Sequence, residues 1–135
     1  MEDFVCPTYD HIVLLNRTLV ERYGGAGHYV REAGPLHNAL HVIQGPIFGE
    51  DQFPTLEGKA CKLAHAVATG HVFSDGNKKT AASTLDLVLN LNGCSLQVPQ
   101  DELVAVMYQL ARNELTLDQF IEWTRQRLLR TAPQP

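Results

Sequence analysis

The sequence predicts a small all-α domain, a bundle of about six helices, and three observations support this. Apolar residues recur at helical spacing in successive segments, most of which are bounded by glycine, proline or a capping residue. No internal repeat, low-complexity tract or second domain is visible. The 135 residues match one domain that buries its own core. We therefore expect a single domain over residues 1–135, with a frayed tail over residues 131–135.

The first two helices are predicted from their ends. Thr8 is a suitable N-cap for the first, and the apolar pattern stops at a pair of glycines that begins with Gly24. The apolar positions of this helix are Ile12, Leu15, Leu19 and Tyr23. Pro35 suits the first position of a short second helix, which ends before Gly45. Its apolar positions are Leu36, Leu40 and Ile43.

The third and fourth helices are predicted to pack as the central pair. Thr55 caps the third helix, and Asn92-Gly93 is a stop signal for the fourth. The apolar stripe of the third helix consists of Leu56, Ala60, Leu63, Ala64 and Val67. That of the fourth consists of Ala81, Leu85, Val88 and Leu89. The segment between the two helices lacks this spacing, so we expect it to be a loop held by two packed elements.

Two further helices complete the bundle. Pro99 opens the fifth helix after a brief extended link over residues 94–98. The inward positions of this helix are Leu103, Val106, Met107 and Leu110. Thr116 and Gln119 form a capping box for the last helix. The apolar positions of the last helix are Leu117, Phe120, Ile121 and Leu128.

Residues 45–54 are rich in turn formers and carry Ile47, Phe48 and Phe53. This composition favours a short hairpin, and the alternative is a surface loop held by the two phenylalanines.

The most informative stretch is residues 71–80, His-Val-Phe-Ser-Asp-Gly-Asn-Lys-Lys-Thr, which leads into the fourth helix. A helix start offers unpaired backbone N–H groups and the positive end of the peptide dipoles, so anions bind there readily. Gly76 permits a tight turn and a close approach to a ligand, and Lys78 and Lys79 add positive charge. Cations in a first helical turn oppose the dipole unless an anion compensates. The pattern therefore indicates a polyphosphate-binding loop.

Two titratable residues in this stretch suit phosphate chemistry. Mg²⁺ bound to substrate phosphates usually takes only one or two protein carboxylates, and Asp75 would supply one. The alternative for Asp75 is the N-cap of the fourth helix. His71 has the side chain best suited to accept a proton from a hydroxyl near neutral pH. The alternative for His71 is an ordinary surface histidine.

Four neighbouring residues have structural interpretations as well as functional ones. We expect Phe73 to be an anchor that buries its ring and fixes the loop. Asn77 would stabilise the turn or donate its amide to a phosphate oxygen. The alternative for the two lysines is a solvated basic pair.

At these residues the chain resembles the Fic/Doc family, whose signature is His-x-Phe-x-Asp/Glu-Gly-Asn. The matching residues are His71, Phe73, Asp75, Gly76 and Asn77. AMP-transferring members continue with Gly-Arg and Doc toxins with Lys-Arg, so Lys78 favours the Doc branch of the Phd/Doc toxin–antitoxin type. Lys79 departs from the family's arginine, and it keeps the charge without the planar fork that grips phosphate oxygens. The resemblance spans nearly the whole chain.

This resemblance implies a Fic-type bundle and a protein kinase activity. Doc toxins transfer the γ-phosphate of ATP to a threonine of elongation factor Tu and arrest translation. In that reading His71 is the catalytic base and Asp75 holds Mg²⁺. The residues that bind the nucleotide phosphates are then Gly76, Asn77, Lys78 and Lys79. Residues 45–54, with Phe48 and Phe53, correspond to the flap that aligns an extended segment of the target protein.

The resemblance also implies a Phd-like antitoxin, whose C-terminal segment folds as a helix over a surface groove. No clear Ser/Thr-x-x-x-Glu-Gly autoinhibitory motif occurs in the chain, which fits inhibition by a separate protein. Two alternatives stay open for the activity. One is a Fic-type AMP transferase that adenylylates a protein hydroxyl, and the other is an antitoxin-binding module with a decayed site.

Composition narrows the remaining classes. A net charge of -4 argues against a general nucleic-acid binder. No apolar run approaches the length of a membrane span, and no secretory signal is visible, so we expect a cytoplasmic protein without membrane partners. Three widely spaced cysteines suit reduced thiols. His37 and His41 have the i, i+4 spacing of a helical zinc pair but lack a third ligand motif.

Overall fold

The computed structural model describes residues 3–25 and 27–131, and within these ranges it contains six helices and two short strands. The helices are α1 (Tyr9–Tyr23), α2 (Gly34–Ile43), α3 (Leu56–Thr69), α4 (Asn77–Leu91), α5 (Gln100–Ala111) and α6 (Leu117–Gln126). The strands are β1 (Cys94–Leu96) and β2 (Leu128–Arg130). The predicted all-α bundle is confirmed. None of the described helices is long and apolar enough to cross a membrane.

Helices α3 and α4 form the centre of the bundle, as the sequence predicts. Helix α3 also packs against α2, α5 and α6, and α4 also packs against α1 and α5. Every position of the two predicted apolar stripes is buried. Burying one leucine or valine side chain stabilises a fold by about 1.5–3 kcal/mol. These stripes therefore fix the spacing of the two helices and, with it, the position of the loop that joins them.

The predicted N-caps are present. The Thr8 side chain accepts a hydrogen bond from the His11 N–H at 3.1 Å. Thr55 accepts from the Gly58 N–H at 3.0 Å. Thr116 and Gln119 form a complete capping box. Each cap satisfies a backbone donor that the first helical turn leaves unpaired.

The buried face of α1 differs from the predicted one. Ile12 and Val20 are buried, and Asn16 lies between them at 0% exposure. These positions are four residues apart, so they share one face of the helix. Tyr23, one of the apolar positions that define the predicted helix, is 60% exposed. The prediction followed apolar residues only and therefore overlooked a buried asparagine.

The last helix is shorter than predicted. It ends at Gln126, and Leu128 lies in β2 instead. Strand β2 pairs antiparallel with β1, with Leu96 opposite Leu128 and Cys94 opposite Arg130. The backbone of this segment is satisfied by a neighbouring strand and not by a continued helix. The assignment of Leu128 to the helix is therefore wrong, and the link over residues 94–98 is partly a strand.

The predicted tail starts close to this small sheet. The Thr131 N–H and hydroxyl both donate to the Gly93 carbonyl, at 2.9 Å and 2.7 Å. Residue 131 is thus attached to the turn that follows α4. Residues 132–135, the rest of the predicted tail, lie outside the described ranges.

Residues 47–50 form the predicted short hairpin. The Ile47 N–H donates to the Glu50 carbonyl at 2.8 Å, and the Glu50 N–H donates back at 3.1 Å. Phe48 and Gly49 occupy the turn with φ of 52° and 81°, and positive φ at both positions matches a type I′ turn. The Phe48 side chain is fully exposed. The expectation that two phenylalanines hold the segment therefore fails for Phe48.

A buried lysine anchors this hairpin to the bundle. Lys59 of α3 is 2% exposed, and its Nζ lies 3.1 Å from each carboxylate oxygen of Asp51. The same ammonium donates to the Ile43 carbonyl at 3.0 Å. Because Asp51 also accepts from the Phe53 N–H, one carboxylate joins the hairpin to α3 and orders the residues between them. Phe53 packs partly buried against the core.

The three cysteines are free thiols. Cys61 is buried where α3 meets α6, and its thiol donates to the Thr124 hydroxyl at 3.2 Å. Burial raises the pKa of the Cys61 thiol to about 12 and that of the half-buried Cys6 thiol to about 11. Both thiols are therefore protonated at neutral pH, which lowers their reactivity.

Candidate functional site

The signature loop, residues 70–76, joins α3 to α4 at the point where the sequence predicts a turn. Gly76 is the N-cap of α4 and has a φ of 75°, a left-handed conformation that glycine adopts without strain. A Cβ atom at this position would lie 3.1 Å from the Val20 side chain and 3.3 Å from Asn16 Nδ2. The turn and the close approach to α1 both require glycine here.

Asn77 fixes the shape of the signature loop. Its Oδ1 accepts from the Phe73 N–H at 3.0 Å, and its Nδ2 donates to the Phe73 carbonyl at 2.9 Å. The carboxamide thus closes a ring with a single peptide residue four positions earlier. Of the two interpretations of Asn77, turn stabilisation matches these hydrogen bonds, and one Nδ2 proton stays unused by them.

The segment before α2 holds the other side of the signature loop. The Ser74 N–H donates to the Tyr29 carbonyl at 2.9 Å, and the Arg31 N–H donates to the Val72 carbonyl at 2.8 Å. Between these bonds, Val30 and Phe73 form an isolated antiparallel bridge. The Phe73 ring is 1% exposed and belongs to the core. The loop is thus fixed by backbone pairing on one side and by ring burial on the other.

Asn16 is a site residue that sequence reasoning missed. Its Nδ2 donates to the Asp75 carbonyl at 2.8 Å and to the Thr80 hydroxyl at 3.0 Å. One amide of α1 therefore joins the end of the loop to the first turn of α4. The available signal was its position, since a polar residue midway between Ile12 and Val20 on a buried face needs polar partners.

A pocket of about 380 Å³ opens at the start of α4. Helix α1, one glycine just after it, the signature loop, the first turn of α4 and one residue of α5 line this α4 pocket. The lining residues are Leu19, Val20, Tyr23, Gly25, Ser74, Asp75, Gly76, Asn77, Lys78, Lys79 and Tyr108. Two ammonium groups and the positive end of a helix dipole thus meet in one concave site, which suits a ligand with several negative charges.

Each lysine of the α4 pocket lies over an aromatic ring. Lys79 Nζ is 4.0 Å from the centroid of the Tyr23 ring, and Lys78 Nζ is 5.7 Å from that of Tyr108. Successive residues of a helix point about 100° apart, so the two side chains reach different walls. Cation–π contacts of this kind restrain otherwise mobile ammonium groups. Because both ammonium groups contact a ring, the two lysines are not simply a solvated basic pair.

Asp75 lines the same pocket but is not the N-cap of α4, so that alternative is wrong. Its Oδ1 accepts from the Gly76 N–H at 2.8 Å. A Cβ atom on Gly25 would lie 2.5 Å from Oδ2, so the carboxylate sits directly against the backbone that follows α1. The described residues contain no group of three or more metal-ligating His, Cys, Asp or Glu side chains. A single carboxylate beside a pocket lined by two lysines nevertheless fits Mg²⁺, which usually takes its other ligands from substrate phosphates and water.

His71, the second residue of the signature loop, has a φ of 52°, which is uncommon for a residue other than glycine. Backbone strain of this kind is often found at functional sites. The imidazole is exposed, and His71 is not among the residues that line the α4 pocket. The structure therefore leaves the ring accessible from solvent, beside a loop that is otherwise tightly fixed.

Two other predicted residue pairs lie outside the α4 pocket. Phe48 and Phe53 belong to the hairpin region, which borders a separate cavity of about 400 Å³. His37 stacks on the Tyr9 ring at 4.2 Å, and no metal-ligand cluster involves it or His41 within the described ranges.

Two comparisons of the sequence with known proteins agree with this assignment of the loop. The family model described as the Fic/DOC family matches residues 6–89, which include α1 to α3, the signature loop and most of α4. A relative from Mycolicibacterium smegmatis named Toxin Doc is 33% identical over 91 residues, which cover 66% of this chain and 70% of the relative. The chain belongs to the Fic/DOC family, as its signature residues predict.

Proposed function

We propose that this protein is a Doc-type toxin that transfers the γ-phosphate of ATP to a threonine or serine hydroxyl of a translation factor. The observation that carries the proposal is the α4 pocket, where Lys78 and Lys79 lie over aromatic rings at a helix N-terminus. Such a site favours a polyphosphate. Lys78 stands where AMP-transferring members of the family have glycine, and its side chain adds charge at that end of the site. The similarity to a protein named Toxin Doc supports the same assignment.

In the proposed reaction the target hydroxyl oxygen forms a bond to the γ-phosphorus, and the bond from this phosphorus to the bridging oxygen breaks. ADP leaves, and the proton of the hydroxyl passes to His71. Gly76, Asn77 and the two lysines stabilise the phosphate charge, with backbone N–H groups of the helix start. Asp75 would hold Mg²⁺, which supplies further charge neutralisation on the phosphates. Enzymes of this kind act mainly through positioning, and the fixed loop provides it.

The partners follow from the same proposal. The target is elongation factor Tu, aligned by the hairpin through Phe48 and Phe53, and the regulator is a Phd-like antitoxin that binds a surface groove. The fully exposed Phe48 ring on a hydrogen-bonded turn suits a docking role, because it presents apolar area to a partner. We place the protein in the cytoplasm as a single Fic/Doc domain, without direct nucleic-acid or membrane contacts.

The test is phosphate transfer to purified elongation factor Tu from ATP labelled at the γ-position or, separately, at the α-position. We expect label only from the γ-position. We expect His71→Ala to lower the rate by about 10²- to 10⁴-fold, since it removes the general base. His71 is exposed, so the fold should persist, which circular dichroism would verify. Label arriving only from the α-position would instead establish AMP transfer, and an inactive wild-type chain that still binds antitoxin would establish the decayed module.

A further inference from the structure

Tyr23 is an exposed tyrosine at the end of α1, and its ring contacts the side chain of Lys79. The side chain is 60% exposed, so it contributes little to the core. Its ring carries the Lys79 ammonium 4.0 Å from the centroid, the shortest contact of this type among the described residues. Both residues line the α4 pocket.

A contact that restrains the Lys79 side chain would favour binding of a ligand by its ammonium group. Its flexible four-carbon stem loses side-chain entropy when the ammonium is fixed. Within residues 3–25 and 27–131, the structure records no hydrogen bond or ion pair for its Nζ, and the contact with Tyr23 is its recorded interaction. An ammonium on a ring face still has donors directed away from the ring. The ring therefore restrains the ammonium group and leaves N–H donors available for a ligand.

We propose that Tyr23 is a positioning residue that holds the Lys79 ammonium against the phosphate groups of a bound polyphosphate. This inference rests on the proposed function, since it assigns a role at the same pocket. It also gives a physical reason why lysine serves at position 79. A compact ammonium centred on an aromatic face has a defined position even though it lacks the planar fork of arginine.

The second lysine of the pocket has a weaker support of the same kind. Lys78 Nζ is 5.7 Å from the Tyr108 ring, and the Arg112 guanidinium lies at the same distance from that ring. A longer contact, shared between two cations, restrains Lys78 less. Tyr23 is therefore the residue through which the effect is best measured.

The probe is inorganic pyrophosphate, and its affinity is measured by titration calorimetry for the full chain. Tyr23→Leu removes the ring, and we expect the dissociation constant to rise by about two- to fivefold, the range of an exposed cation–π contact. Tyr23→Phe keeps the ring and should keep the wild-type affinity. The matched control is Tyr9→Leu, at the other end of the 15-residue α1 and about 21 Å away at 1.5 Å per residue. It should leave the affinity unchanged.

A double-mutant cycle separates positioning from a direct or structural effect. In a Lys79→Gln background, Tyr23→Leu should cause no further loss of pyrophosphate affinity, because its action passes through the ammonium. An equal loss in both backgrounds would overturn the proposal. So would wild-type affinity in Tyr23→Leu, or a wild-type chain that does not bind pyrophosphate. If these affinities change as expected while no phosphate transfer occurs, only the proposed kinase function fails.

Discussion

At the scale of single residues, Asn77 carries much of the geometry of the signature loop. Asn77→Ala removes both hydrogen bonds to Phe73 and leaves a backbone N–H and carbonyl without these partners. We expect a loss of about 1–3 kcal/mol in the free energy of unfolding. Urea denaturation measures it, with Asn90→Ala, an exposed asparagine on the same helix, as the matched control. An equal effect of the two variants would contradict the assigned role.

The residues of the candidate site divide by how far apart they lie in the chain. The glycine turn, the acid and the two lysines are adjacent in sequence, so their types and spacing predict a phosphate-binding helix start. Asn16 and Tyr108 reach the same place from α1 and α5. No local pattern marks them, because their roles depend on how the helices pack. The resemblance to the family signature also does not predict which aromatic ring each lysine contacts.

At the scale of elements, one ion pair between Asp51 and Lys59 joins the hairpin to α3, and its contribution to stability depends on pH. Hydrogen bonds from Lys59, the backbone N–H of Phe53 and the charge of Lys59 hold the pKa of Asp51 below its ordinary value of 3.8. A depressed folded-state pKa stabilises the fold above the unfolded value. That contribution is lost as the pH falls from near 3.8 through the depressed pKa.

We expect Asp51→Asn to unfold at a lower temperature than the wild type at neutral pH, because the buried Lys59 loses its anionic partner. The two melting temperatures should converge in acid, where the wild-type carboxylate is protonated too. Thermal unfolding of both proteins over a pH series checks this. A constant difference down to the lowest pH would show that the ion pair is not its source.

Helix positions were predictable where a local signal marks the end of an element. Thr8, Thr55 and Thr116 cap their helices as predicted, since capping depends on the next three residues alone. The small sheet was not predictable in the same way. Its strands are three residues long and lie about thirty positions apart, so Leu128 continued the helical pattern in sequence while pairing with Leu96 in space.

At the scale of the whole molecule, the α3–α4 pair lies at the centre of the hydrophobic core. Leu85 of α4 is 0% exposed and belongs to the core. We expect Leu85→Ala to lower the free energy of unfolding by about 2–5 kcal/mol, through lost transfer energy and a residual cavity. Leu14→Ala, at a position 58% exposed, is the control and should change it by less than about 0.5 kcal/mol. Chemical denaturation measures both, and equal losses would place the core elsewhere.

The buried Cys61 thiol can serve as a built-in probe of how often α3 and α6 separate. Its hydrogen bond to Thr124 and its raised pKa, about 12, keep it inert while α3 and α6 stay in contact. A thiol-alkylating reagent at neutral pH therefore modifies Cys61 only when local unfolding separates these helices. The labelling rate then reports how often this part of the bundle opens. Any ligand that binds only the closed form would slow that rate, and mass spectrometry would measure the fraction of Cys61 that is labelled.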